Sequence, residues 1–200
     1  MNGHVAFVGD VHGNVDALRG LWGQPEVSDA SRVVYMGDYL NKGPDSAAVI
    51  EQLIEYSRSG RAVLLRGNHE SALLDALQTR TLTAFLKMGG AATIQSYVRR
   101  PVGADVLRDF EEHLPDAHLE ALRSMADLYE SEDLVARHIP GVRTGQKFEV
   151  SAHVTVGPLP RISAASAQID TGCATKDGRL TAFFWPARQF VQVDNSGVRV

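Results

Sequence analysis

Apolar positions along the first 80 residues alternate between two periods. Val5–Val8 is a short unbroken apolar run, as in a buried strand, and Val15, Leu18 and Leu21 then recur at helical spacing between Asn14 and Trp22. The couplet repeats. Arg32–Met36 reads as a second strand, and Asp45–Ser57 places Val49, Ile50, Leu53 and Ile54 on one helical stripe. Arg61–Leu65 reads as a third strand, ahead of a helix carrying Leu73, Leu74 and Leu77. Such alternation predicts parallel strands joined by right-handed crossovers.

The pattern then changes twice. Thr81 to Met125 reads as helices interrupted by Gly89-Gly90 and Pro101, with Pro115 near the start of a last helix through Leu119, Leu122 and Met125. Beyond Tyr129 the apolar runs are short and strand-like: Leu134–His138, Phe148–His153, Gln168–Asp170, Leu180–Trp185 and Phe190–Val193. Asp177-Gly178 is the strongest hairpin signal, and Asn195-Ser196-Gly197 marks another turn. Neither a linker nor an internal repeat is visible. The expectation is one α/β domain over residues 1–200 with a helical excursion in its middle.

Three blocks interrupt this pattern where strands end. They are Gly9-Asp10-Val11-His12-Gly13-Asn14, Gly37-Asp38 and Arg66-Gly67-Asn68-His69-Glu70. Each follows an apolar run and precedes a helix, so the three deliver Asp, His, Asp, Asn and His to the carboxyl ends of neighbouring strands. Oxygen and imidazole donors without cysteine suit Mn²⁺, Zn²⁺ or iron. Asp10 and His12 can grip one cation, and Asn68 can offer an amide oxygen to a second, with His138 and His153 arriving from later strands. Asp38 is the natural bridge, because one carboxylate can bind two cations about 3.5–4 Å apart. His69 can donate a proton to a leaving oxygen. Arg66 offers a forked guanidinium to phosphate oxygens, and Lys42 a point charge.

Composition narrows the classes. Two hundred residues with 44% hydrophobic and 22% charged positions suit one full globular core. A net charge of −4 speaks against a nucleic-acid binder. The single cysteine, Cys173, forbids an internal disulfide and is expected to be a small buried side chain in a reducing compartment. No apolar stretch approaches the roughly 20 residues that span a bilayer, and the first strand begins too early for a signal peptide. A cytoplasmic monomer, with no membrane or nucleic-acid partner, is the expectation.

The blocks, with Gly37-Asp38-Tyr39-Leu40-Asn41-Lys42-Gly43 as the second, resemble the GDxHG, GDxVDRG and RGNHE signatures of calcineurin-like metallophosphoesterases, nearest to the bacterial and bacteriophage serine/threonine phosphoprotein phosphatases. Phe85 to Gly90 with Ser96-Tyr97, Ala152-His153-Val154-Thr155 and Ile169-Asp170-Thr171-Gly172 are similar to later segments of those proteins. The resemblance implies a four-layer α/β/β/α sandwich and a dinuclear centre, with Mn²⁺ the expected metal. It makes Asp10, His12 and Asp38 ligands of one cation, and Asp38, Asn68, His138 and His153 ligands of the other. It also implies hydrolysis of phosphate monoesters on phosphoserine, phosphothreonine or phosphotyrosine, by attack of a metal-bridging hydroxide.

The chain departs from the family in the second block. Asn41 stands where relatives carry the aspartate that pairs with the catalytic histidine, and Lys42 where they carry arginine. An amide can orient His69 but cannot stabilise its charged form as a carboxylate would. Asn41 to Ser46 also resembles symmetrical dinucleoside-tetraphosphate hydrolases, and a small nucleotide is therefore the alternative substrate. Between His138 and His153 the usual phosphate-binding arginine has no clear counterpart, and Arg143 is the candidate, with Lys147 a further one. A scaffold with weak or lost turnover is the alternative of another class.

Overall fold

The computed structural model describes residues 3–142 and 145–200. Ten strands and eight helices follow in the order β1 (Val5–Val8), α1 (Val15–Trp22), α2 (Pro25–Ser28), β2 (Arg32–Tyr35), α3 (Ser46–Ser57), β3 (Ala62–Leu64), α4 (Asn68–Thr79), α5 (Thr83–Lys87), α6 (Gly90–Val98), α7 (Val106–His113), α8 (Asp116–Ser124), β4 (Leu128–Glu130), β5 (Leu134–Arg137), β6 (Phe148–Ser151), β7 (Arg161–Ile162), β8 (Ser166–Gln168), β9 (Arg179–Trp185) and β10 (Gln189–Asp194). Side-chain caps start several helices at the end of a loop. Asn14 accepts from Ala17 N–H, Asp45 from Ala48 N–H and Asp105 from Arg108 N–H, at 2.9–3.1 Å.

The strands form two five-stranded sheets, ordered β10-β9-β1-β2-β3 and β4-β5-β6-β8-β7. In the first, β1, β2 and β3 run parallel and β9 returns antiparallel beside β1. In the second, β5, β6 and β8 run parallel, with antiparallel strands at both edges.

Alternation along each strand sorts the core into two layers. Ala6, Val8, Val33, Tyr35, Leu180 and Ala182 face the helices, packed with Leu18, Leu21, Ile50 and Leu53. Their neighbours Phe7, Val34, Met36 and Phe183 face the second sheet, where they meet Leu134, Ala136, Phe148, Val150 and Ala167. The mixed α/β sandwich is the expected one, but its helical cover is one-sided among the described residues. All eight helices precede β4, and the outward positions of the second sheet are polar: Arg137 and Glu149 pair there, beside Ser151 and Gln168.

Two further differences have local causes. The hairpin is β9–β10, closed by Pro186-Ala187-Arg188, whereas Asp177-Gly178 ends a turn in the crossover from the second sheet back to β9. Gly178 is needed there for close backbone approach, since a Cβ would lie 1.6 Å from Gly172 O. The elements that periodicity does not predict, α2, β4 and β7, have four residues or fewer. Among the described residues no helix is long and apolar enough to cross a membrane.

Candidate metal centre

The carboxyl ends of β1, β2 and β3 lead into loops that are tied together before any side chain is considered. Val11 and His12 both donate their N–H to Asp38 O, at 3.1 and 2.9 Å, and Gly13 N–H donates to Tyr39 O at 2.7 Å. From the start of α4, the fully buried Glu70 carboxylate accepts four backbone N–H groups: Asp38, Tyr39, Leu40 and Gly67, at 2.9–3.2 Å. Gly67 admits this arrangement because a Cβ would fall 2.2 Å from Asp38 Oδ1. Burial, with Asp38 beside it, pushes the Glu70 carboxyl up to about 7 against those four donors.

Within that frame the donors converge. His12 Nε2 lies 3.8 Å from Asp10 Oδ2 and 3.9 Å from Asp38 Oδ2, and His69 Nε2 lies 3.7 Å from Asp38 Oδ2. On the other side of Asp38, His138 Nε2 is 3.3 Å from Oδ1 and 2.9 Å from Asn68 Oδ1. His153 Nδ1 reaches the same Asn68 oxygen at 2.8 Å, and its N–H donates to Asp10 Oδ1 at 3.4 Å. Two groups suited to a cation emerge, His12–Asp38–His69 and Asp38–His138–His153, and Asp38 belongs to both. The ring of His12 donates from Nδ1 to Leu40 O and that of His138 to Met36 O. Each therefore turns its Nε2 lone pair inward, as a metal-ligating histidine does.

The donor set fits divalent cations on a further observation. Asp10 Oδ2 is buried with no hydrogen-bond partner among the described residues, an arrangement that is expensive unless a cation completes it. Burial first, then Asp170 and Asp38, holds the Asp10 carboxyl well above the usual range. Asp38 lies lower, at about 2: burial raises it, but the hydrogen bond and charge of His138, with His69 and His12, prevail. That balance in turn raises His138, whose burial alone would lower it. His69 is pushed down to about 4, chiefly by burial. In this structure the Lys42 ammonium stands 2.7 Å from His12 Nε2, the position of a positive charge on that lone pair.

Other predicted residues fall differently. Asn41 is fully buried, with its side-chain nitrogen 2.7 Å from His69 Nδ1. Arg66 is not brought to the cluster: its Nη2 donates to Arg123 O and Met125 O at 2.8 and 3.2 Å, at the C-terminal end of α8. Its side chain lines a cavity of about 690 Å³ with Leu74, Leu77, Leu114 and Leu119. Leu65 and Arg66 run beside Ala126, and this pairing turns the guanidinium away. Arg143 lies outside the described residues. Lys147 pairs with Glu130 on the second sheet. Four residues matter that motif reading leaves without a role: Glu70; Asp170, which accepts from Thr155 Oγ1 at 2.8 Å and so anchors the loop after His153; and Ser46 and Thr93, which contact Asn41.

The calcineurin-like phosphoesterase family matches residues 3–154. The chain belongs to that family. Its relatives divide over substrate. The symmetrical bis(5'-nucleosyl)-tetraphosphatase of Bordetella pertussis (strain Tohama I) is 32% identical over 123 residues, 60% of this chain and 42% of the relative. The chain thus spans less than half the length of that protein. The asymmetrical bis(5'-nucleosyl)-tetraphosphatase PrpE of Oceanobacillus iheyensis is 24% identical, covering 94% of this chain and 91% of its own. Serine/threonine-protein phosphatase 1 of Salmonella typhimurium is 34% identical over 91 residues, 44% of this chain and 39% of that one. A crystal structure assigned as a diadenosine tetraphosphatase aligns with a TM-score of 0.64 at 21% identity, over 96% of this chain and 94% of that one, and establishes the shared fold.

Proposed function

We propose that this calcineurin-like phosphoesterase hydrolyses a phosphoanhydride bond of dinucleoside tetraphosphates, rather than the phosphoserine or phosphothreonine esters that its motifs suggest first. One observation carries the reading: the group 2.7 Å from His69 Nδ1 is the neutral Asn41 amide, not a carboxylate. A carboxylate would favour the imidazolium and so make His69 a strong acid toward the leaving oxygen. Beside an amide it is a weak one. A departing nucleoside phosphate is stable as an anion and needs little protonation, whereas a serine alkoxide needs a full proton. The tetraphosphatase relatives support the same choice.

In this reading Asp10, His12 and Asp38 hold one divalent cation, and Asp38, Asn68, His138 and His153 the second, with Mn²⁺ the preferred metal. When bound, such a pair polarises the phosphoryl oxygens and makes a coordinated water more acidic. The chain's own residues do the rest. Asp38, tied through its backbone to the other two loops, sets the spacing of the site. His69 directs Nε2 toward the leaving oxygen. With a cation held at His12 Nε2, Lys42 would be free to turn its ammonium to the phosphate chain.

Similarity to the Salmonella phosphatase favours a second reading, hydrolysis of phosphoserine, phosphothreonine or phosphotyrosine in proteins. A substrate panel with Mn²⁺ decides between them. Diadenosine tetraphosphate is expected to exceed a phosphoserine peptide in kcat/KM by roughly a hundredfold, and its products report where the cut falls. The reverse order would restore the protein phosphatase; turnover of neither substrate would favour the scaffold. In Asn41→Asp the ratio of phosphoserine to anhydride turnover should rise roughly tenfold, and an unchanged ratio removes the argument.

A further inference from the structure

Asn41, Ser46 and Thr93 are all completely buried, so each polar hydrogen among them needs an acceptor within the group. Ser46 Oγ has two partners among the described residues, the Asn41 backbone N–H at 3.1 Å and Thr93 Oγ1 at 2.9 Å. The first can only donate. The Ser46 hydrogen therefore goes to Thr93 Oγ1, which also accepts from the Asn41 backbone N–H at 2.9 Å. The hydroxyl hydrogen of Thr93 then has one destination, the Asn41 side-chain atom 2.7 Å away, and that atom must be the carbonyl oxygen. The NH₂ of Asn41 consequently faces His69 Nδ1, which can only accept with its lone pair. With the amide turned over, Thr93 would donate to Ser46, and the buried Ser46 hydrogen would be stranded.

We infer that Ser46 and Thr93 are positioning residues that lock His69 as its neutral Nε2–H tautomer. Nε2, which then carries the hydrogen, lies in the cluster 3.7 Å from Asp38 Oδ2. A neutral imidazole held this way donates a hydrogen bond without passing on its proton, since loss of that proton would leave an imidazolate. His69 therefore stabilises charge on a departing phosphate oxygen and supplies no acid for an alkoxide. The lock stands on hydrogen-bond accounting alone; its link to anhydride cleavage rests on the function proposed above. It also gives the helical excursion a task. Thr93 lies on α6, distant in sequence, and reaches the catalytic histidine through one amide.

The test is nitrogen NMR on Zn²⁺-loaded protein carrying ¹⁵N-histidine, with the His69 signals identified by their loss in His69→Gln. In the unsubstituted protein Nδ1 should be unprotonated and Nε2 protonated. Thr93→Val should bring Nδ1–H into the spectrum and lower kcat for diadenosine tetraphosphate roughly tenfold, with KM within about twofold. Thr93→Ser, which keeps the hydroxyl, should retain both the tautomer and the rate. Protonated Nδ1 in the unsubstituted protein, or an unchanged tautomer in folded Thr93→Val, overturns the inference. Should the lock be observed while phosphopeptide is the better substrate, the proposed substrate falls and the lock stands.

Discussion

The two halves of the cluster are built to different rigidity. On the first-sheet side, Asp10, His12 and Asp38 are 2–3% exposed, and three loops are joined by backbone hydrogen bonds and by Glu70. On the second-sheet side His138 is equally buried, but His153 is exposed, its ring bonded to Asn68 and edge-on to that of His138. The loops that follow these two histidines carry exposed apolar residues, Ile139, Val142, Val154 and Leu159. Backbone strain follows the same division. His12, Asp38, Asn41 and Lys42 all have left-handed φ of 47–69° on the first side; on the second, among the described residues from His138 to His153, His153 does. Such residues cost of order 1–3 kcal/mol each and persist only where their surroundings hold them. The lesson is that one half of the site is assembled by folding itself, and the other is completed by what binds there.

The largest effect should come from loosening the rigid half. Glu70→Gln keeps the shape but removes the charge and offers one acceptor oxygen to four N–H groups. A loss of about 3 kcal/mol is expected for the metal-free protein in urea unfolding, together with weaker binding of Mn²⁺. A loss below about 1 kcal/mol would show that the loops hold without this clamp, and the contrast between halves would fail.

A pair of substitutions on the adjustable half sharpens the contrast. His153→Ala should weaken Mn²⁺ binding roughly ten- to hundredfold in calorimetric titration and leave metal-free stability within about 0.5 kcal/mol. His138→Ala should weaken it as much and also lose about 1–2 kcal/mol, because Met36 O is left buried without its donor. Equal stability losses would mean that the two histidines belong to one rigid unit. In both variants affinity should rise with pH, as protons compete with the cation for the remaining imidazoles.

How much of this was legible follows the range of the interactions. The three strand-turn-helix units of the first 80 residues show in the hydrophobic period, and the blocks at their ends place Asp10, His12, Asp38, Asn68 and His69 at one edge. Glu70 lies inside the third block, yet its partners Asp38, Tyr39 and Leu40 are 30–32 residues away and are shown only by the fold. Thr93 is more remote still, 52 residues from Asn41, on a helix whose sequence marks no hydroxyl as special. His118 is likewise 4% exposed, between Tyr97 Oη and Glu51, which lie 21 and 67 residues away. Cys173 is the small buried side chain expected, its thiol pushed up to about 12 by burial. Pattern reports local geometry and ligand type; the partners of a buried polar group depend on which helices meet, and no local period records that.

Arg66 gives the smallest expected effect and the most direct attack on this division, because motif and geometry disagree about it. The motif aims its guanidinium at phosphate. The structure places Nη2 on Arg123 O and Met125 O, so that the side chain latches the end of α8 to the strand edge beside Leu65. Arg66→Met retains the apolar stem and removes both bonds, one of them to a half-exposed carbonyl. Stability should fall by about 1 kcal/mol and kcat/KM for diadenosine tetraphosphate by less than about threefold. A fall of a hundredfold or more at unchanged stability, about 2.7 kcal/mol at RT ln 10 ≈ 1.36, would mean that the guanidinium leaves α8 for the substrate. The rigid half would then contain a moving cation, and the boundary between fixed and adjustable parts would have to be drawn through Arg66 rather than between the sheets.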